Sequence, residues 1–326
     1  DVRGIVGESI TADSVRATGA AFVDVLGLVG SGVVVGGDMR PSSPEFVEAF
    51  AAGATRRGAD VTVIGSISTD ELYFACGTLD SAGVTFTASH NPAEYNGIKM
   101  AKAGAVPVSS DTGLYEIRDV AQRYLDAGEI PASEHRGQVS RRDVLGDYAH
   151  YLRSLVDLSG IRPLKVVVDA GNGMAGLTTP AVLGDALLDP LPLEIVPLYF
   201  ELDGTFPNHE ANPLEPANLV DLQALVRESG ADIGLAFDGD ADRCFVVDEL
   251  GRPVSPSAVT ALVAGRELGR EIGATVIHNL ITSAAVPEII REAGGQPVRS
   301  RVGHSFIKAE MAKWEPVVTQ ANVSLD

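Results

Sequence analysis

Two short segments carry residue types whose spacing suits chemistry. In Asp238-Gly239-Asp240-Ala241-Asp242-Arg243, three carboxylates stand at every second residue, directly after the strand-like Ile233-Gly234-Leu235-Ala236-Phe237. Such a loop can turn its carboxylate oxygens onto one hard cation, with a fourth anionic oxygen supplied from outside. Without a cation the carboxylates repel one another, and the alternative is a solvated acidic turn. Asp238, Asp240 and Asp242 also take the first, third and fifth places of an EF-hand, with Glu249 at the twelfth. However, Arg243 stands where that loop needs glycine, and Cys244-Phe245-Val246-Val247 reads as strand, so Mg²⁺ on a strand-end loop is the better assignment.

The second segment is Thr87-Ala88-Ser89-His90-Asn91-Pro92, followed by Tyr95-Asn96-Gly97-Ile98-Lys99. The run Val84 to Phe86 delivers the chain into this loop, and Pro92 restricts Asn91 to an extended conformation. Ser89 Oγ can then be presented outward, with Lys99 as a cation or proton-transfer group. Spacing alone equally allows a polar loop that caps a helix. The surroundings are not Gly-x-Ser-x-Gly, which argues against an α/β-hydrolase serine. No zinc-like Cys/His spacing occurs, and the glycines match neither a P-loop nor Gly-x-Gly-x-x-Gly, so ATP and NAD are not expected.

The elements that must position these loops alternate in the manner of an α/β fold with largely parallel strands. Val33 to Gly36, Val61 to Ile64, Lys165 to Val168, Ile233 to Phe237 and Thr275 to His278 read as strands. Ser43 to Arg57, Leu219 to Ser229 and Ala258 to Leu268 read as helices. A linker is expected between 130 and 160, and a second break near Gly251-Arg252-Pro253-Val254-Ser255-Pro256. Three lobes result.

The chain has 326 residues, 45% of them hydrophobic, which excludes intrinsic disorder. With 44 acidic against 25 basic side chains, net −19, it is repelled by nucleic acid and anionic membranes. Neither a transmembrane stretch nor a signal peptide is apparent, so a cytoplasmic location is expected. Cys76 and Cys244 read as buried small hydrophobes, too few for a disulfide framework. The opening Asp1-Val2-Arg3-Gly4 reads as a start inside an element.

Together the serine and aspartate segments resemble the phosphoserine and metal loops of the α-D-phosphohexomutases, the family of phosphomannomutase, phosphoglucomutase and phosphoglucosamine mutase. Asp1-Val2-Arg3-Gly4-Ile5-Val6-Gly7, Asp203-Gly204-Thr205-Phe206-Pro207-Asn208-His209 and Val302-Gly303-His304-Ser305-Phe306-Ile307-Lys308 match as well, so the similarity runs from residue 1 to about residue 312. It implies consecutive α/β lobes with mixed, largely parallel sheets flanked by helices and an active-site cleft between lobes. Residues 1–140 would form a phosphoserine-loop domain, 155–252 a metal-binding domain and 253–326 part of a sugar-binding domain.

The resemblance further implies that Ser89 carries a phosphate and hands it to a hexose monophosphate, through a hexose 1,6-bisphosphate that also serves as primer. Mg²⁺ would be held by Asp238, Asp240 and Asp242, with the phosphate on Ser89 as the outside donor. Arg3 and Lys99 match cations around the transferring group, and Lys99 also matches a proposed general base. His90 and Asn91 match residues beside the phosphoserine. Arg243 matches a substrate-side cation, with a salt bridge to its own loop as the alternative, and His304 matches a substrate-contacting histidine. His209 is expected to be loop structure, His278 structural, and His135 and His150 solvated. Members of the family normally continue into a sugar-reading Gly-Glu-x-Ser-Gly-His loop and a fourth, phosphate-binding domain with an Arg-x-Ser-Asn-Thr-Glu-Pro loop. Neither loop occurs in these 326 residues. The expected activity is that of a phosphomannomutase, with glucose phosphates as further substrates. Phosphoglucosamine mutase or a catalytically incomplete Mg²⁺ and sugar-phosphate binding module are the alternatives. Expected partners are hexose phosphates, with neither nucleic acid nor membrane, for a monomer or homodimer.

Overall fold

A computed structural model describes residues 2–303, 306–308, 310, 311 and 313. The chain divides into two compact units, Asp1–Arg252 and Pro253–Asp326. Two sheets lie in the first.

The first sheet is built from β1 (Val2–Ile5), β2 (Gly32–Gly37), β3 (Asp60–Ser66), β4 (Ala82–Phe86), β5 (Tyr95–Lys102), β6 (Val106–Pro107) and β7 (Val139–Arg141), in the order β1-β5-β4-β2-β3-β7 with β6 beside β5. Strands β4, β2, β3 and β7 run parallel, whereas β5 is antiparallel to both β1 and β4. Helices α1 (Ala12–Leu26), α2 (Ser43–Arg56), α3 (Thr69–Thr78) and α4 (Tyr115–Ala127) complete this lobe. The valines of β2 are buried on both faces, as a central parallel strand requires. Phe22, Phe46, Phe50 and Phe86 form the centre of the core, with Phe22 and Phe50 edge to face at 5.6 Å. Gly19 and Gly53 let α1 and α2 touch, since a Cβ at either would collide with backbone of the other helix.

The segment in which a linker was expected contains β7, which extends the first sheet, and α5 (Leu145–Leu155). The second sheet follows with β8 (Leu164–Asp169), α6 (Ala175–Val182), β9 (Leu193–Leu198), α7 (Val220–Ser229), β10 (Ile233–Phe237) and β11 (Cys244–Asp248). Strands β9, β8 and β10 are parallel, and β11 returns antiparallel to β10. Its core gathers Val167, Leu219, Leu222, Val226, Ala236 and Val247. Cys76 is buried as expected, but Cys244 is exposed, because the first position of β11 faces outward beside the metal-type loop.

The second unit contains β12 (Pro253–Val254), α8 (Pro256–Arg270), β13 (Thr275–Asn279), α9 (Ala285–Glu292) and β14 (Gln296–Ser300), with β13 parallel to β14. Ala261, Ala264, Leu268, Val286 and Ile290 make its core. Among the described residues no helix is long and apolar enough to cross a membrane.

Candidate active site

Parallel strands end together on one edge of a sheet, and their C-terminal loops are where α/β folds place ligand chemistry. The serine loop follows β4 and the aspartate loop follows β10. Both then reverse into an antiparallel strand, β5 and β11. Gly239 lies directly on Ser89, so that a Cβ there would collide with the Ser89 carbonyl oxygen. The loops are therefore in contact.

Ser89 takes a left-handed backbone conformation, φ 52°, a state that costs a non-glycine residue of order 1–3 kcal/mol. What holds it there is visible. Its N–H donates to Thr87 Oγ1 at 2.9 Å. Beneath the loop the fully buried Arg40 donates to four main-chain carbonyls, those of Ser89 (3.1 Å), Asn91 (2.6 Å), Pro92 (2.8 Å) and Tyr95 (2.8 Å). Its charge is balanced by Asp38, 3.3 Å away and equally buried. Burial pushes the Asp38 carboxyl above its usual range despite the Arg40 charge. Arg40 is braced in turn by the Asp203 to His209 segment, where the Phe206 ring lies 5.1 Å from its guanidinium and Gly204 leaves room for its backbone. His209 secures that segment through Asp169 (3.0 Å) and the Glu210 carbonyl (2.8 Å), in keeping with a structural histidine.

The expected outward presentation of Ser89 is not what the structure has. Ser89 is 2% exposed and its hydroxyl turns onto the aspartate loop, donating to Asp238 Oδ2 at 2.6 Å. The local sequence could not reveal this, because the covering residues lie on another sheet. Nor does the loop cap a helix; it leads into β5.

Carboxylate oxygens of Asp238, Asp240 and Asp242 come within 4.8 Å of one another, the first two residues fully buried and the third exposed. Asp240 Oδ1 is buried without a hydrogen-bond partner. A buried anionic oxygen in that state is unfavourable unless a cation meets it. The donor set, all hard oxygens, fits Mg²⁺. Burial and the neighbouring Asp240 and Asp242 charges push Asp238 up to about 7. For Asp240 burial works in the same direction, but the ion pair with Lys99 outweighs it and holds the carboxyl well below the usual range.

Cations surround the cluster. Lys99 reaches from β5 to Asp240 (2.6 Å) and Asp242 (2.7 Å); burial disfavours its charge, yet these two partners raise its pKa above the usual lysine value. The two ion pairs thus hold Lys99 in its charged form. Arg243 donates to Asp238 Oδ2 through Nε at 2.9 Å and to Ser89 Oγ through Nη2 at 2.5 Å. The salt bridge to its own loop thus coexists with a contact to the serine. Arg243 Nη2 also lies 2.6 Å from His90 Nδ1, and burial followed by the Arg243 and Arg3 charges depresses the His90 pKa, keeping the ring neutral. Arg3, on β1, donates to the Ala88 carbonyl and to Asn91 Oδ1 at 2.7 Å.

Of the residues singled out in the sequence, Ser89, His90, Asn91, Lys99, Arg3, Asp238, Asp240, Asp242 and Arg243 all come together here. His304 lies outside the described residues. Sequence reasoning missed Arg40 and Thr69, whose hydroxyl donates to Asp240 Oδ2 at 2.7 Å. A signal existed for the second: Ser68-x-x-Glu71 is a capping box that places Thr69 at the start of α3. A depression of about 430 Å³ opens elsewhere, between Ser66, Glu71, Arg142 and Leu177, and none of the site residues lines it.

A serine hydroxyl set against clustered carboxylates, with Arg243 on it, Lys99 on the carboxylates and Arg3 on the serine loop, is the equipment of phosphoryl transfer. Comparison with known proteins gives the family. Models for phosphoglucomutase/phosphomannomutase alpha/beta/alpha domains I, II and III match residues 1–126, 146–251 and 255–320. The chain is 43% identical over 313 residues to a phosphohexose mutase of Xanthomonas campestris pv. campestris, covering 95% of this chain and 67% of that protein. It is 40% identical over 319 residues to a phosphomannomutase of Salmonella typhimurium, covering 95% and 68%. A solved phosphoglucomutase/phosphomannomutase family protein of Burkholderia thailandensis superposes with a TM-score of 0.85 at 35% identity, over 96% of this chain and 67% of that one. The chain belongs to the phosphoglucomutase/phosphomannomutase family, the α-D-phosphohexomutases. Its class is therefore that of isomerases that work by moving a phosphoryl group.

Proposed function

We propose that the chain serves a phosphomannomutase reaction, interconverting hexose 6-phosphate and hexose 1-phosphate through a phosphate carried on Ser89. The observation that supports this most is the Ser89 hydroxyl, held 2.6 Å from Asp238 Oδ2 and 2.5 Å from Arg243 Nη2 at the edge of the carboxylate cluster. Mg²⁺, held by Asp238, Asp240 and Asp242 with Ser89 as the outside donor, would neutralise charge on the phosphoryl oxygens. The remaining work falls to side chains of the chain. Arg243 steadies the serine oxygen, Arg3 fixes the loop through Asn91, and neutral His90 accepts from Arg243. Lys99 supplies positive charge beside the aspartates, as a loose, in-line transfer demands. A hexose 1,6-bisphosphate primes the serine, and the lobes 1–140 and 155–252 furnish the two loops.

Mannose is favoured because the Salmonella relative is a phosphomannomutase and 40% identical. Turnover of mannose, glucose and glucosamine 1-phosphates, each with Mg²⁺ and bisphosphate primer, checks the assignment. Mannose 1-phosphate is expected to give the highest kcat/KM; preference for the amino sugar would contradict it.

A further inference from the structure

Asp240 is buried, and both of its side-chain partners meet it on one oxygen. Its Oδ2 accepts from Lys99 Nζ at 2.6 Å and from Thr69 Oγ1 at 2.7 Å, and its carbonyl accepts from Thr69 N–H at 3.1 Å. Its Oδ1 has no partner and is buried. Thr69 itself is 2% exposed and is the first residue of α3, a helix of ten residues. The start of that helix is locked, since Ser68 Oγ accepts from Glu71 N–H at 3.3 Å and the Glu71 carboxylate accepts from Ser68 N–H at 2.7 Å. A helix end anchored on the first sheet thus grips a carboxylate that belongs to the second.

We propose that Thr69 is a positioning residue that makes Asp240 a one-oxygen metal donor and thereby favours Mg²⁺ over Ca²⁺. With Oδ2 engaged, only Oδ1 can turn to the ion. Mg²⁺ asks for six single oxygens in a tight octahedron, whereas Ca²⁺ takes six to eight and readily uses both oxygens of a carboxylate. Lys99 cannot impose this alone. Its ammonium is shared with Asp242 at 2.7 Å and sits on a flexible stem, and it also donates to Thr69 Oγ1 at 3.2 Å. Partners behind a metal ligand commonly govern affinity about 10- to 100-fold.

This inference rests on reading the aspartate loop as the metal site, and the two can fail separately. The test is calorimetric titration of metal-free protein with Mg²⁺ and, separately, Ca²⁺, for wild type, Thr69→Val, Thr69→Ser and Asp240→Asn. Thr69→Val is nearly isosteric and keeps the N–H bond to the Asp240 carbonyl. It is expected to weaken Mg²⁺ binding about tenfold or more while Ca²⁺ binding falls less, so that the ratio of affinities shifts toward Ca²⁺. Thr69→Ser is expected to restore the wild-type ratio. Should the valine variant not fold, Thr69→Ala removes the same hydroxyl and must shift the ratio likewise. An unchanged ratio in the folded valine or alanine variant, or a serine variant that does not restore it, overturns the role of Thr69. Equal Mg²⁺ affinity in wild type and Asp240→Asn overturns the metal-site reading beneath it.

Discussion

The serine loop and the aspartate loop are built alike and stabilised differently. Each follows a parallel strand, each turns through one left-handed non-glycine residue (Ser89 at φ 52°, Ala241 at φ 58°), and each returns as an antiparallel strand. The serine loop is shaped from below by a neutral pair, Arg40 with Asp38, and by four carbonyl hydrogen bonds that need no ligand. The aspartate loop is shaped by charge. Three acidic side chains are held by Lys99 and Arg243 and still leave a buried oxygen of Asp240 unpartnered. One loop is preorganised by the fold, and the other is poised for a cation.

That contrast can be broken most forcefully at Arg40. Arg40→Met strips the serine loop of its carbonyl anchor and leaves Asp38 buried and unpaired, a change that costs about 3–5 kcal/mol in comparable buried pairs. Chemical denaturation is expected to show a loss of that order, with phosphate uptake by Ser89 falling more than Mg²⁺ affinity, which keeps its three aspartate donors. Equal loss of both would mean that the loops are one unit. Adding Mg²⁺ at about 100 times its Kd should stabilise the protein by about 2.7 kcal/mol. Hydrogen exchange should slow more at residues 238–243, which supply three donors, than at 87–92, which supply Ser89 alone; protection spread evenly over both would erase the distinction. Gly239→Ala forces the loops apart where they touch, and overpacking of this kind costs about 1–3 kcal/mol. Unlike Arg40→Met, it should weaken phosphate uptake and Mg²⁺ binding together.

The smallest effect concerns the brace behind Thr69. Burial raises the Glu71 carboxyl from an ordinary 4.5 to about 7. Because the folded value lies above the unfolded one, its contribution is fully present below about 4.5 and lost as pH rises through about 7. Melting temperatures of the wild type should therefore decline from pH 5 to 8 relative to those of Glu71→Gln. Parallel profiles would contradict the raised carboxyl.

Local pattern carried much of this into view before the structure. Alternating aspartates after an apolar run can be read as a cation loop because spacing and strand are contiguous, and β10 occupies Ile233–Phe237 as expected. The valine run of β2 was legible for the same reason. Arg40 was not, since a guanidinium that serves carbonyls about 50 residues away has no local signature. Thr69 and Asp240 are 171 residues apart, and only the meeting of two sheets joins them. The burial of Ser89 stayed hidden likewise, whereas the exposure of Cys244 was a matter of which face of β11 its first residue takes.

Intact-mass analysis after incubation with hexose 1,6-bisphosphate and Mg²⁺ tests the central claim most directly. One phosphoryl group is expected on the wild type, located on the peptide containing Ser89, absent from Ser89→Ala and strongly reduced in Asp240→Asn. A phosphate that still appears in Ser89→Ala, or a wild type that acquires none, would contradict the account.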